Sequence, residues 1–222
     1  MYLKCIKEQN FAIHMQFNTN TNFYKATIIS LFTAIIVTGF SIILGRENLF
    51  LMLNIDLGNF GDFFFNYATF LGDGVAWVMF ILFFLWKDKK QLLLIALSIL
   101  ISTIIVHFVK GSIFVNQPRP LEALPQLKNI IHTIPNITIH LVGSFPSGHT
   151  TQAFTMYLLL CLIFKKNWLV WVGLFFALIV GYSRIYQAQH FPIDVAGGII
   201  VAIITVWVSL RLSMVFEKKL KL

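Results

Sequence analysis

Three short stretches of this apolar chain concentrate residues that could do chemistry. They are KGSIFVNQPRP at 110–120, PSGH at 146–149 and SRIYQAQHFPID at 183–194. Together they contain two histidines, a carboxylate and three cations at defined spacings. Ionisable side chains are costly near an apolar phase, and they usually mark a functional site. We therefore ask first what these stretches could do together.

The third stretch supplies a nucleophile. His190 and Asp194 are four residues apart, and Pro192 suits the first turn of a helix. Asp194 can then bind one imidazole nitrogen of His190 and leave the other free to attack. His149 can protonate the leaving oxygen and later activate water. A His–Asp pair at this spacing can also hold a metal, but the neighbouring cations oppose one, so we expect no metal.

The cations indicate what is attacked. Lys110, Arg119 and Arg184 have no matching acidic cluster, which points to an anionic ligand. Guanidinium forks suit phosphate oxygens. Ser147 is a good helix N-cap, and Gly148 leaves room for phosphate to approach the free N–H groups of the helix start. The residues thus predict a metal-free phosphoryl-transfer site with no cofactor.

The composition places this site at a membrane. The chain of 222 residues is 58% hydrophobic and 12% charged, with a mean hydropathy of +0.79. Soluble domains are about half apolar and about a quarter charged. The net charge of +8 could suggest nucleic acid, but this composition makes nucleic-acid binding improbable. An integral membrane protein is predicted.

The apolar runs predict an all-α fold with six transmembrane helices in a single domain, 1–222. Spanning helices need about 20 residues. The expected helices cover 26–44, 70–86, 91–109, 148–164, 168–184 and 192–213. The second reaches spanning length only by including the residues before its apolar core. Prolines argue against a long helix within 111–148, and GDG at 72–74 is interpreted as a helix-entry turn.

The charge distribution predicts the orientation. With both termini cytoplasmic, the cytoplasmic segments contain all but five of the 17 basic residues. The five outer ones are Arg46, Lys110, Arg119, Lys128 and Arg184. This follows the positive-inside rule and places all three stretches on the outer face. Cys5 and Cys161 lack metal or redox spacing, so we interpret both as structural or incidental.

These motifs resemble those of the type 2 phosphatidic acid phosphatase superfamily, which includes membrane lipid phosphatases and relatives of vanadium haloperoxidases. The family pattern is K-x6-RP, then PSGH, then SR-x5-H-x3-D. The second and third motifs are intact here. The first departs from the pattern, because eight residues separate Lys110 from Arg119.

The resemblance implies a role for each matching residue. His190 is expected to become phosphohistidine, Asp194 to orient it, and His149 to act as general acid and then base. The remaining matched residues are expected to bind or support the phosphate. They are Lys110, Arg119, Arg184, Ser147, Gly148 and Ser183.

The expected function is a lipid phosphate phosphatase on the periplasmic face of the cytoplasmic (inner) membrane. Lys128, His132 and His140 are interpreted as solvated groups of the outer segment that could hold a bulky headgroup or second phosphate. This favours lipid A phosphate, with undecaprenyl diphosphate or phosphatidylglycerophosphate as alternatives. A lipid phosphotransferase and a transporter are the alternative classes. The sequence does not define the oligomeric state.

Overall fold

The computed structural model describes residues 20–220, and this part of the chain is helical. Cys5 and the two chain ends, whose cytoplasmic location was predicted, lie outside the described residues. The α-helices are α1 (Thr21–Ile43), α2 (Arg46–Leu53), α3 (Gly58–Ala68), α4 (Gly74–Lys87), α5 (Leu92–Phe108), α6 (Pro120–Ala123), α7 (Gly148–Ile163), α8 (Asn167–Tyr186) and α9 (Pro192–Leu220).

The described residues contain fewer membrane spans than the six predicted. Four helical segments are long and apolar enough to cross a bilayer: Thr21–Ile43, Lys89–Ile113, Asn167–Tyr186 and Pro192–Lys219. A fifth span results if Gly58–Gly72 and Gly74–Lys87, which are bent by 53° at their junction, count as one. The all-helical, multi-span architecture is therefore confirmed, with four or five candidate spans.

The second predicted helix, 70–86, is interrupted. Thr69–Gly72 forms a 3-10 turn, and α4 begins only at Gly74. Between them Asp73 is extended, and its carboxylate accepts a 2.6 Å hydrogen bond from the Gly74 N–H. The predicted helix-entry turn is confirmed, but the helix cannot run continuously through it.

The fourth predicted helix is too short to span alone. α7 has 16 residues, which at 1.5 Å each cover about 24 Å of a hydrocarbon core of about 30 Å. It packs against α8 and α9, and most of its residues are buried, including the free thiol of Cys161. α7 therefore forms the centre of the bundle.

The basic residues between the helices lie at one end of the helical bundle. Asn20, which caps α1, donates to the carbonyl of Leu162 at the end of α7. Lys165 and Lys166 follow at that end, and Lys87 ends α4 there. The irregular segment 111–148 lies at the opposite end and contains the end of the π-helical turn Val109–Ile113, the short α6 and a 3-10 turn. The expectation of no long helix in 111–148 is confirmed.

The start of α7 and the first turns of α9 touch through a glycine. A Cβ added to Gly198 would lie 2.7 Å from the Ser147 carbonyl oxygen and 3.0 Å from Thr150 Cβ. Backbone cannot move away as a flexible side chain can. Gly198 therefore sets how closely α9 approaches the PSGH turn.

We expect Gly198→Ala to destabilise the protein by about 1–3 kcal/mol, because overpacking forces two helices apart. The melting temperature of the detergent-solubilised protein should fall by roughly 2–10 °C. Gly39→Ala is the matched control, since nothing lies within 4 Å of its added Cβ. Equal melting temperatures for the two variants would contradict this account of the contact.

Candidate active site

A cavity of about 480 Å³ lies where α5 and α8 end and α7 begins. It brings together all three stretches that the sequence singled out. The predicted site residues that line it are Lys110, Arg119, Gly148, His149, Arg184 and His190. The cavity therefore combines two histidines and three cations from segments far apart in the chain.

His190 sits on a tight turn between α8 and α9. The Arg184 carbonyl accepts hydrogen bonds from the N–H groups of Gln189 (2.9 Å) and His190 (3.1 Å), which closes the turn. The His190 side chain is 2% exposed, and its Nδ1 faces Asp194 Oδ2 at 3.5 Å. That separation is too long for a good hydrogen bond, and Nδ1 has no hydrogen-bond partner among residues 20–220. Because Nδ1 faces Asp194, Nε2 on the other side of the ring is the nitrogen available to the cavity.

Asp194 is fixed by hydrogen bonds behind His190. Its Oδ2 accepts from Ser144 Oγ at 2.5 Å and from the Phe191 N–H at 2.8 Å. Its backbone carbonyl accepts from the Ser147 N–H at 2.9 Å, which joins α9 to the PSGH turn. Ser144 lies outside every motif, and sequence reasoning missed it. Pro192 begins α9, as predicted.

Burial holds His190 in its neutral form. Its pKa lies well below the ordinary value, first because burial penalises the imidazolium. Arg119, Arg184 and Lys110 add electrostatic repulsion in the same direction. A neutral imidazole keeps the lone pair that a nucleophile needs.

Arg184 has donor capacity left over. Its Nη1 donates to Thr69 Oγ1 at 2.7 Å and to Gln187 Oε1 at 2.6 Å. The side chain is buried, yet Nε has no hydrogen-bond partner in the described structure. An unbonded buried N–H group is unfavourable, and because Nε is itself buried it is not exposed at the cavity surface.

Arg119 is held by neutral oxygens. Its Nε donates to the Val142 carbonyl at 3.0 Å, and Nη2 approaches the Gly143 carbonyl at 3.4 Å. Its Nη1 donates to Gln189 Oε1 at 2.7 Å. The fork is thus fixed at the cavity wall without an acidic partner.

Lys110 reaches the cavity despite the longer first motif. It lies in a π-helical turn, Val109–Ile113, that continues α5, and Asn116 beyond it has a positive φ of 52°. A π turn and a left-handed residue absorb extra length between fixed ends. Lys110 Nζ donates to the Gly143 carbonyl at 2.9 Å, the same oxygen that Arg119 approaches.

The PSGH turn starts α7. Ser147 is the N-cap, as predicted, and its Oγ accepts from Thr150. This leaves the first N–H groups, those of Gly148 and His149, unbound within the helix. Ser147 does not itself line the cavity.

Ser183 also lies away from the cavity surface. It is buried, and its hydroxyl donates to the Val180 carbonyl at 2.7 Å. In this arrangement Ser147 and Ser183 support the backbone beside the site, and their hydroxyls do not face a ligand.

The cavity wall includes residues that the motifs did not indicate. Those with polar side chains are Asn66, Thr69, Asp73, Thr103, His107, Thr138, His140, Gln152, Gln187 and Gln189. They come from helix ends and from the outer segment, where no spacing pattern marks them.

Lys128, His132 and His140 were expected to hold a headgroup, and two of these three side chains lie outside the cavity lining. His132 is only 10% exposed, and its Nε2 is bound to Asp62 at 2.9 Å while Nδ1 faces Asp56 at 3.6 Å. The expectation of a solvated His132 was wrong, because Asp62 and Tyr186 enclose its ring. Lys128 is not among the cavity-lining residues, and His140 is.

His132, Asp56 and Asp62 also have the spacing of a metal site. Their atoms are already engaged, since Asp62 Oδ1 binds both His132 Nε2 and the Tyr186 hydroxyl at 2.8 Å. We interpret this group as a clamp that fastens the outer segment to α3 and α8.

The fold and the cavity define a class of protein. The profile of the PAP2 superfamily matches residues 91–217, which include all three motifs. The chain belongs to the PAP2 superfamily, and the resemblance seen in its motifs is confirmed.

Individual relatives are about 30% identical to this chain over the aligned regions. Undecaprenyl-diphosphatase BcrC of Bacillus subtilis is 30% identical over 57% of this chain, and lipid A 4'-phosphatase of Porphyromonas gingivalis is 32% identical over 72% of this chain and 69% of its own length. The matched region spans 60 to 66% of the lengths of two Bacillus relatives. The crystal structure of Aquifex aeolicus LpxE superposes with a TM-score of 0.63 at 31% identity, covering 73% of this chain and 93% of that one.

The lowered pKa of His190 predicts a pH-dependent stability. As pH falls below about 6.5, the unfolded chain binds a proton at this histidine that the folded chain excludes. The contribution of neutral His190 to the free energy of unfolding is therefore complete above that pH. Below it the contribution decreases by up to about 1.4 kcal/mol per pH unit. Melting temperatures between pH 7.5 and 5.5 should fall less steeply for His190→Gln than for wild type. His140→Gln, on the exposed cavity rim, is the control and should retain the wild-type slope.

Proposed function

We propose that this chain is a membrane lipid phosphatase that transfers a terminal phosphate first to His190 and then to water. One observation carries the proposal. His149 and His190 line the same cavity as Lys110, Arg119 and Arg184. Two histidines can move protons and attack phosphorus, while three cations stabilise the charge on the phosphoryl oxygens.

In the first step, His190 Nε2 attacks phosphorus and the bond from phosphorus to the lipid oxygen breaks. His149 gives its proton to that oxygen, which leaves as the lipid hydroxyl or lipid phosphate. In the second step, His149 takes a proton from water, the water oxygen bonds to phosphorus, and the bond to His190 breaks. Inorganic phosphate leaves and both histidines return to their starting states.

Asp194 supports the phosphohistidine electrostatically. Attack from Nε2 places positive charge on the imidazole, and the carboxylate 3.5 Å from Nδ1 offsets it. Ser144 and the Phe191 N–H hold that carboxylate in place. A small approach of the ring towards Asp194 would turn this contact into a hydrogen bond as charge develops.

The substrate enters from the membrane. The cavity lies at one end of helices whose outward faces are apolar and exposed, as lipid contact requires. We propose that this end is periplasmic, that both termini are cytoplasmic in the inner membrane, and that α7 completes the sixth crossing inside the bundle. The basic loops at the opposite end support this orientation.

Lipid A phosphate is our first choice of substrate. The relative named lipid A 4'-phosphatase aligns over more of this chain than the relative named undecaprenyl-diphosphatase, 72% against 57%. That second name makes undecaprenyl diphosphate the principal alternative. A phosphotransferase would share the first step and replace water by another acceptor.

Phosphate release by purified protein in detergent with EDTA tests the mechanism. Wild type should release phosphate from lipid A and less from undecaprenyl diphosphate or phosphatidylglycerophosphate. His190→Ala should abolish release, because no other group forms the intermediate, and His149→Ala should slow it by about 10²–10⁴-fold. Gln126→Ala, exposed on the outer segment, is the control. Activity that survives His190→Ala or requires a divalent metal would overturn the mechanism.

Cysteine labelling tests the orientation. In a background of Cys5→Ser and Cys161→Ser, Thr138→Cys at the cavity rim should react with a membrane-impermeant maleimide in intact spheroplasts. Lys165→Cys, at the basic end, should react only after permeabilisation. The reverse pattern would place the active site on the cytoplasmic face.

A further inference from the structure

Two glutamines outside the motif positions hold the two arginines of the site. Gln187 and Gln189 lie on the turn before His190, on either side of Ala188, which has a positive φ of 52°. Their exposed fractions are 2% and 1%, and both line the cavity. Buried polar side chains are normally hydrogen-bonded, so the partners of these two amides indicate what they do.

Gln189 links Arg119 to the outer segment. Its Oε1 accepts from Arg119 Nη1 at 2.7 Å, and its backbone carbonyl accepts from the same nitrogen at 3.2 Å. Its Nε2 donates to the Thr138 carbonyl at 3.0 Å. The bond from Nε2 to the Thr138 carbonyl fixes the orientation of the Gln189 amide, so its oxygen must face Arg119.

Gln187 makes the same arrangement with Arg184. Its Oε1 accepts from Arg184 Nη1 at 2.6 Å, and its Nε2 donates to the Phe65 carbonyl at 3.0 Å. Each glutamine thus spans the gap between one arginine and one backbone carbonyl. One segment of chain sets the direction of both guanidinium forks.

The choice of an amide has an electrostatic consequence. A carboxylate of the same shape would bind the same arginine nitrogen more strongly but would cancel its charge. An amide oxygen fixes the direction of the arginine N–H group and, because it is uncharged, does not cancel the positive charge of the arginine. We propose that Gln187 and Gln189 are positioning residues, which aim the Arg184 and Arg119 forks at phosphate while preserving both charges. The inference rests on the proposed phosphate chemistry of this cavity.

Inorganic phosphate binding to the full-length protein in detergent, measured by calorimetry beside melting temperature, tests this role. Gln189→Glu and Gln187→Glu should each weaken phosphate binding by about 10- to 100-fold, the range for a lost charged hydrogen bond. Their melting temperatures should fall, because each carboxylate gains an ion pair with a buried arginine but loses the donor to the Thr138 or Phe65 carbonyl. Gln126→Glu, exposed in the outer segment, adds the same charge away from the site and should change neither quantity.

The outcomes separate this inference from the proposed function. Wild-type phosphate affinity in both glutamate variants would overturn the positioning role and leave the phosphatase proposal intact. An equal loss of affinity in Gln126→Glu would show that added negative charge anywhere weakens binding and that the contact with the arginines is not the cause, which also overturns it. Absence of phosphate binding in the wild type would remove the proposed function and this inference with it.

Discussion

The structure depends on keeping three like charges together out of water. Lys110, Arg119 and Arg184 line one cavity, and within residues 20–220 no carboxylate forms a salt bridge with them. Buried cations without an acidic partner are unfavourable unless their donors are satisfied. Here uncharged oxygens accept hydrogen bonds from these cations, and the Gly143 carbonyl accepts from both Lys110 and Arg119. The cavity keeps a net positive field that an anion can neutralise.

This constraint explains why the site is built from helix ends. Carbonyl and N–H groups are free only where helices begin or end, so the cavity lies where α5 and α8 end and α7 starts. The positive end of the α7 dipole adds to the field of the cations. The outer segment cannot be helical, because its carbonyls at Val142 and Gly143 must turn towards Arg119. Gly143, with a positive φ of 72°, permits that turn.

The sequence was most informative where chemistry fixes both residue type and spacing. The motifs at 146–149 and 183–194 predicted the two histidines, Arg184 and Asp194 as neighbours, and they now meet at one cavity or behind it. Apolar runs predicted helices well but not their continuity, because the second helix was extended across the turn at 72–74 to reach spanning length. Ser144 and the two glutamines were missed for a different reason: each binds a partner far away in the chain, which is Asp194 for Ser144, Arg119 for Gln189 and the Phe65 carbonyl for Gln187, so no local pattern marks them.

The side chains that line the cavity stand on two kinds of backbone. His149, Arg184 and His190 lie on or beside helix ends fixed by packing, whereas Thr138 and His140 belong to the irregular outer segment. Relatives about 30% identical carry names that refer to different phosphorylated lipids. Loops tolerate sequence change more readily than packed helix ends do, so the outer segment is the part of this wall where substitution costs the fold least. The clamp of His132 with Asp56 and Asp62 limits how far that segment can move from the helical frame.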